Sequence, residues 1–416
     1  MKTNHRFTVE YSIDIPNCQI DTIIGAFKKM LPLFLAEFVK EILTTFADDI
    51  MKQPAKPFCC DECGNNGDMI WKTRNAKPTS VTTIFGEVRL PQMQVQGSFC
   101  GHKMFMTRKL LEIGRYKKMS SKTEKIMAML GSLTSFRVSE KILGFFNIPL
   151  DKITVWRCVQ KVGSNLNFDL DLSEEARGEA DGTGIPIQGI KKRGRELKVF
   201  VQQKASGGVR VAGLAIGHYD GGWDKLFSPL MHKLRMFPRF LLVTDGDMSI
   251  LKGIKGLNII FQRCLWHIPY QMRYYLWKDG VERKSRIWRY VISELLDVTA
   301  VRTLIYDEKQ IESVLQRKTE RLEALIEYCT ENGLSSSAAH LRKALPDMFS
   351  AFKKRLNGST TSKVERVMRT VNLRINVGKW STQGALNAVK VRLAHYCNDF
   401  NVEDDTGNIS IITLLG

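Results

Sequence analysis

Five runs rich in apolar and β-branched residues crowd the stretch between Gly178 and Arg263, and their order constrains the fold more than any other feature of the chain. They are Glu179–Pro186, Leu197–Gln203, Val209–His218, Phe240–Thr244 and Leu257–Phe261, with one helix-like stretch, Trp223–Met236, between the third and the fourth. From Cys264 to about Leu356 the strand signals stop and long helical patterns take over. Three strands, a helix, two strands and later helices predict an α/β domain with a mixed sheet flanked by helices and interrupted by a helical insertion.

That order matches the ribonuclease H-like layout, in which the first and fourth strands lie side by side. Two aspartates end those strands. Asp181 stands in Glu-Ala-Asp-Gly-Thr-Gly and Asp245 in Leu-Leu-Val-Thr-Asp-Gly-Asp, 64 positions apart. Open α/β sheets place their sites where neighbouring strands end and connections diverge, so the two acids are expected to meet. A third acid, Glu365 in Thr-Ser-Lys-Val-Glu-Arg, lies in a helix start crowded with cations; Arg342 to Arg392 holds twelve Lys/Arg against two Asp/Glu. Asp-Gly pairs are also ordinary turn starters, as at Asp220-Gly221 and Asp279-Gly280. Asp247 competes with Asp245, and Glu323, Glu327 and Glu331 compete with Glu365.

Carboxylates are expensive to bury unless paired or holding a metal. Phosphodiester cleavage needs a nucleophilic hydroxyl and a stabilised leaving oxygen, and two Mg²⁺ or Mn²⁺ ions roughly 3.5–4 Å apart supply both. On this reading Asp181 bridges the ions, with Asp245 on one and Glu365 on the other. The formal net charge of +19 over 416 residues favours a polyanionic partner, nucleic acid or an acidic membrane surface. No apolar run reaches about 18 residues, so no transmembrane span is expected. Met-Lys-Thr-Asn-His-Arg is not followed by a signal core, and nine cysteines are too sparse for a disulfide scaffold, so a reduced cytoplasm is expected.

The N-terminal part carries separate signals. Residues 20–50 alternate apolar and charged positions at helical spacing, and Pro54–Pro57 breaks the pattern. Cys60 and Cys63 form a Cys-x2-Cys knuckle, with Cys59 as an alternative to Cys60. Cys100 and His102 follow about forty residues later across a hairpin expected from Val81–Leu90 and Met93–Gly97. Four such ligands describe a zinc-ribbon-like module holding one structural Zn²⁺. Lys122–Leu166 reads as a helix-turn-helix whose last helix, capped by Asp151, offers Thr154, Arg157, Gln160 and Lys161 to DNA; a plain helical bundle is the alternative. Lys191–Arg195 reads as a basic hairpin tip, and Asp169–Arg177 as an acidic linker.

Gln262-Arg-Cys-Leu-Trp-His267 closes the fifth strand. Cys264 and His267 read as a buried thiol and a hydrogen-bonding imidazole or as half a zinc site, while Arg263 and Trp266 can contact phosphate and stack on a base. Asp-Gly-Thr-Gly, Thr-Asp-Gly, Gln-Arg-Cys-Leu-Trp-His and Val-Glu-Arg, in that order, resemble the DDE transposases of bacterial insertion sequences, in the branch related to Mutator-like elements. The resemblance spans about residues 120–395. It implies a catalytic triad of Asp181, Asp245 and Glu365, a Cys-x2-His motif at Cys264 and His267, and a helical insertion within the 119 residues between Asp245 and Glu365.

The organisation expected is therefore an N-terminal helical segment (1–53), a zinc-ribbon-like β module (54–118), a helix-turn-helix (119–168), a ribonuclease H-like core (176–264), a helical insertion (265–357) and C-terminal catalytic helices (358–400). The function expected is a transposase that binds double-stranded DNA, both terminal inverted repeats and target. It would act as a homo-oligomer near the nucleoid, with Arg366 and Arg369 touching DNA beside Glu365. The alternatives are a zinc-ribbon and helix-turn-helix regulator whose sheet domain is inactive, and a stand-alone nuclease.

Overall fold

The computed structural model describes residue 12 and residues 19–111, 113, 117–190, 195–219, 221–301, 307–356, 358–398 and 400. The chain divides into two compact units, Met1–Val162 with Asn401–Gly416, and Gly163–Phe400. The basic tip at 191–194 lies outside the described residues. Among the described residues no helix is long and apolar enough to cross a membrane.

The first unit begins with a long helix, α1 (Ile20–Lys52), which contains Pro32. It packs Leu43, Ala47 and Ile50 against Met93, Val95 and Met104 of an antiparallel sheet formed by β1 (Met69–Thr83), β2 (Gly86–Gly97) and β3 (Lys103–Phe105). The hairpin differs from the one expected. The chain turns at Ile84-Phe85, with Gly86 opening β2 at φ +107, and Pro91 sits inside β2 instead of breaking it. Ala76 pairs with Gln92 and Thr79 with Leu90, so Lys77 and Pro78 oppose Pro91 at a register shift. A bulge tolerates residues that cannot donate to the ladder.

A short helix, α2 (Met106–Leu110), leads to α3 (Ser121–Leu133), α4 (Phe136–Phe145) and α5 (Lys152–Asn165). Ser120, Ser135 and Asp151 each accept a backbone N–H in the first turn of the helix that follows. Gly131 lets α3 approach α5; a Cβ there would lie 2.7 Å from Val155 and 2.8 Å from Val159.

The second unit holds a mixed five-stranded sheet: β4 (Arg177–Gly184), β5 (Glu196–Gln203), β6 (Val209–Gly217), β7 (Phe240–Thr244) and β8 (Ile259–Arg263), in the order β6-β5-β4-β7-β8. β4 pairs antiparallel with β5 and parallel with β7, so the first and fourth strands are neighbours. Between β6 and β7 the expected single helix is two, α6 (Trp223–Phe227) and α7 (Met231–Met236), separated by a 3₁₀ turn at Ser228–Leu230 that contains Pro229. Phe200, Phe227, Phe240 and Leu242 fill the core beneath them.

The stretch read as an acidic linker is fastened to this sheet. Leu170 is in the core, and the Gln202 amide donates to Asp171 O and Glu175 O. A short helix, α8 (Ser249–Gly253), precedes β8. After β8 come α9 (His267–Lys278), α10 (Arg286–Thr299), α11 (Glu308–Glu331), α12 (Ser335–Ala344) and α13 (Ser350–Lys353), most of them joined by a core of their own. α14 (Ser362–Ile375) and α15 (Thr382–Cys397) return to the sheet.

Candidate functional sites

Period-2 alternation along β4 puts Glu179, Asp181 and Thr183 on one face of the strand. That face meets α14. The Glu179 carboxylate accepts the N–H groups of Lys363 and Val364, both at 2.9 Å, so a buried anion satisfies the positive end of the helix. The Thr183 hydroxyl donates to Asn372 Oδ1 at 3.1 Å. Between these two anchors lie Asp181 on β4 and Glu365 on the first turn of α14.

Asp245 follows β7 directly, beside β4. Burial and the charges of Asp245 and Glu365, opposed by the Gly182 N–H and His267, together hold the Asp181 carboxyl up at about 7. Asp245 and Glu365, from two other segments, therefore both act on Asp181. The oxygens of the three acids do not all come within 4.8 Å of one another, as the three cysteine sulfurs described below do. A set of oxygen donors, one held protonated up to near-neutral pH by burial and by its acidic neighbours, fits hard divalent cations.

His267 and Cys264 supply the scaffold on the far side of Glu365. His267 Nε2 lies 3.1 Å from Glu365 Oε1, and its Nδ1 lies 3.2 Å from Thr361 Oγ1. The Thr361 N–H and hydroxyl both donate to Cys264 Sγ at 3.3 Å, and the Leu265 N–H donates to Ser359 O. The Cys-x2-His turn thus fastens the strand that enters α14 and orients the glutamate. Burial would raise Cys264, but hydrogen bonds from His267 and Thr361 outweigh it and lower the thiol. Burial would lower His267, but the Cys264 sulfur, Glu365 and Asp181 hold it up at about 9.

The rivals of the three acids are otherwise engaged. Asp247 accepts the Trp223 indole N–H at 2.9 Å and both the N–H and hydroxyl of Ser249. Glu323, Glu327 and Glu331 are exposed on α11.

Arg263 requires a correction. It is 3% exposed and clamps Asp347 through Nε (2.9 Å) and a terminal nitrogen (3.2 Å). It also packs on Gly246, where a Cβ would fall 2.1 Å from the guanidinium. Arg263 is an internal tie between β8 and the end of the insertion, unavailable to phosphate, because a fork-shaped cation inside the protein is held by its buried carboxylate. Trp266, Arg366 and Arg369 are exposed. On α5, Arg157 is exposed and Thr154 and Gln160 are half-buried, while Lys161 is paired with both oxygens of Glu124.

Sequence reasoning missed Glu179, Thr361 and a buried pair near Asp245. Lys198 is fully buried in β5, ion-paired with Glu196, and its ammonium lies 4.4 Å from the Trp223 ring. A lone cation inside the apolar run Leu197–Gln203, and an acid two positions before Asp181, were the available signals.

In the first unit Cys60, Cys63 and Cys100 bring their sulfurs within 4.8 Å of one another. Gly97 makes room, since a Cβ there would lie 2.8 Å from Cys100 Sγ. The N–H groups of Cys63 and Glu62 hold the Cys60 thiol low. The His102 N–H favours the Cys100 thiolate, but the Cys63 and Cys60 sulfurs and burial outweigh it and raise that thiol. Thiols gathered on a knuckle turn suit a soft or borderline ion such as Zn²⁺.

His102 is not in the group. Gly101 turns the chain at φ +65, and the His102 ring faces Glu62 at 3.9 Å while its carbonyl accepts the Gly97 N–H. Cys59 is exposed and also outside the group. The chain as a whole matches no protein-family model and no curated protein.

Proposed function

We propose that the chain is a DDE DNA transposase with a ribonuclease H-like catalytic unit, which binds element ends and catalyses DNA strand cleavage and strand transfer. The observation that carries this reading is the convergence of Asp245 and Glu365 on Asp181, brought from a parallel neighbouring strand and a returning helix to a central strand. The strand order β6-β5-β4-β7-β8, with only β5 running against the rest, supports the ribonuclease H-like assignment.

Asp181, Asp245 and Glu365 would hold two Mg²⁺ or Mn²⁺ ions, which when bound supply an activated hydroxyl and stabilise the leaving oxygen. The protein's own part is positional. Glu179 docks the start of α14, His267 holds one oxygen of Glu365, and Gly182 N–H fixes Asp181 Oδ1 at 2.8 Å. The same site serves both steps, hydrolysis at the element end and attack of the freed 3′-hydroxyl on target DNA. The cysteine module and the helices α3–α5 are the DNA-reading parts in this scheme, with Arg157 an exposed cation among the four α5 candidates, and assembly on DNA is homo-oligomeric because two ends must be held together.

The test is strand transfer of an end-containing duplex with Mn²⁺ or Mg²⁺, comparing the wild type with Asp181→Ala. Wild-type joining that disappears in the variant is the expected result. End binding without cleavage in the wild type would instead favour a regulator, and cleavage indifferent to end sequence a plain nuclease.

A further inference from the structure

Helix α9 has an unusual outer face. Its inner side is ordinary, with Ile268, Met272 and Leu276 fully buried in the insertion core. The solvent side, where charged residues are normally found, instead carries Trp266, Tyr270, Tyr274 and Trp277 at spacings of four, four and three. They are 55%, 54%, 58% and 70% exposed. Residues at these spacings share one face of a helix, so the four rings form a continuous stripe. Trp266 and Tyr270 are stacked, with centroids 5.1 Å apart and planes 13° from parallel; Tyr274 and Trp277 are 5.7 Å apart.

Arginines accompany the rings. Tyr270, Arg273, Tyr274, Trp277, Arg283 and Trp288 line a concavity of about 390 Å³, and the Arg273 guanidinium lies 5.8 Å from the Tyr270 ring. The stripe starts at the carboxylate site, because Trp266 stands edge-on to His267 at 5.0 Å, and His267 touches Glu365.

We infer that this face of α9 is a stacking platform for unpaired bases of a DNA strand leaving the carboxylate site. Flat rings offered to solvent next to guanidinium groups are the chemistry that holds a single strand, with bases on the rings and phosphates on the cations. From Trp266 to Trp277 the helix rises about 16 Å, which spans on the order of five bases at ~3.4 Å each. The preference for a polyanion over an apolar protein partner follows from Arg273 and Arg283 in the concavity and from the chain's net charge of +19. The source of the strand, a frayed or cleaved end, rests on the transposase reading; the platform itself does not require catalysis.

The test is fluorescence anisotropy of a labelled thymidine oligonucleotide of about 16 nucleotides on the full chain. A second probe carries 2-aminopurine, whose emission is quenched on stacking. Trp277→Ala and Tyr274→Ala are each expected to raise the dissociation constant roughly 5- to 150-fold and to restore 2-aminopurine emission, with Trp277→Phe recovering both.

Unchanged affinity in both alanine variants would overturn the proposal, as would equal binding of a blunt duplex. Displacement of the oligonucleotide by a polyglutamate peptide at equal charge would also overturn it, since it would mark the face as a general anion patch. The cleavage assay with Asp181→Ala is read separately. Oligonucleotide binding by the wild type that is lost in the alanine variants, with no metal-dependent cleavage in any protein, would leave this inference standing and remove the transposase reading, and the converse pattern would do the reverse.

Discussion

His267 Nε2 and Glu365 Oε1 lie 3.1 Å apart on two different helices, and the contact gives the Cys-x2-His turn a physical task. The imidazolium, kept charged by the Cys264 sulfur and by Glu365 itself, fixes which way the glutamate points. Groups that orient a metal-binding side chain commonly contribute as much as a weak ligand.

His267→Ala is therefore expected to lower Mn²⁺-dependent cleavage about 10- to 100-fold, with a smaller loss in Cys264→Ser, which keeps a hydrogen-bonding group but not the charge. The pH dependence has a definite sign. With His267 raised to about 9, the stabilisation it gives α14 is fully present below its ordinary value of 6.5 and is lost as pH rises towards 9. Thermal denaturation of metal-free wild type and His267→Ala should converge above that range; a constant gap across it would contradict the assignment.

Asp181 shifts stability in the same direction with pH, but here the charged form is the costly one. Its folded value near 7 lies above the ordinary 3.8, so in metal-free protein ionisation costs stability as pH rises from about 4 to 7. Asp181→Asn should abolish cleavage yet raise stability above pH 7 by up to about 4 kcal/mol, with no difference near pH 3. Urea denaturation in chelator at both pH values measures this. A destabilised variant at pH 8 would show that Asp181 is not the strained acid of the site.

The thiol group makes a stoichiometric prediction. Purified protein should carry one zinc per chain; Cys60→Ser, Cys63→Ser and Cys100→Ser should each lose it, and Cys59→Ser and His102→Ala should keep it. Elemental analysis reads the outcome directly. Loss of zinc in His102→Ala would restore the histidine as a ligand.

Arginines that looked alike in sequence should behave differently. Arg263→Ala leaves Asp347 without its buried partner and should cost about 3–5 kcal/mol of stability. Arg366→Ala and Arg369→Ala, both exposed, should leave stability within about 0.5 kcal/mol. Each should flatten the salt dependence of DNA affinity by about one unit of slope. An unchanged slope in both would detach α14 from DNA.

How much could be read beforehand depends on whether a feature is local. The strand segments and the helices that follow are periodic signals, and the register Asp181 to Val199 and Ala180 to Thr244 only completes them. Ser120, Ser135 and Asp151 behave as caps because capping is decided within four residues. What stayed hidden required partners far along the chain. Arg263 resembled a phosphate contact until Asp347 faced it, Glu179 looked like an ordinary strand acid until Lys363 and Val364 arrived, and His102 was assigned by spacing though its turn aims the ring at Glu62. Pro91 shows the reverse error, a strong local breaker absorbed by a bulge.

The carboxylate site also has a birth order. β4 and β7 carry Asp181 and Asp245, but the glutamate comes on α14, which can dock on Glu179 only after the whole insertion between β8 and Ser362 has been made. Until then a growing chain already owns its cysteine cluster and its first helices, yet holds two acids where three are needed. On the transposase reading, any product that stops before Ser362 would be a reader without a blade, able to occupy the same sites as the full chain and block it.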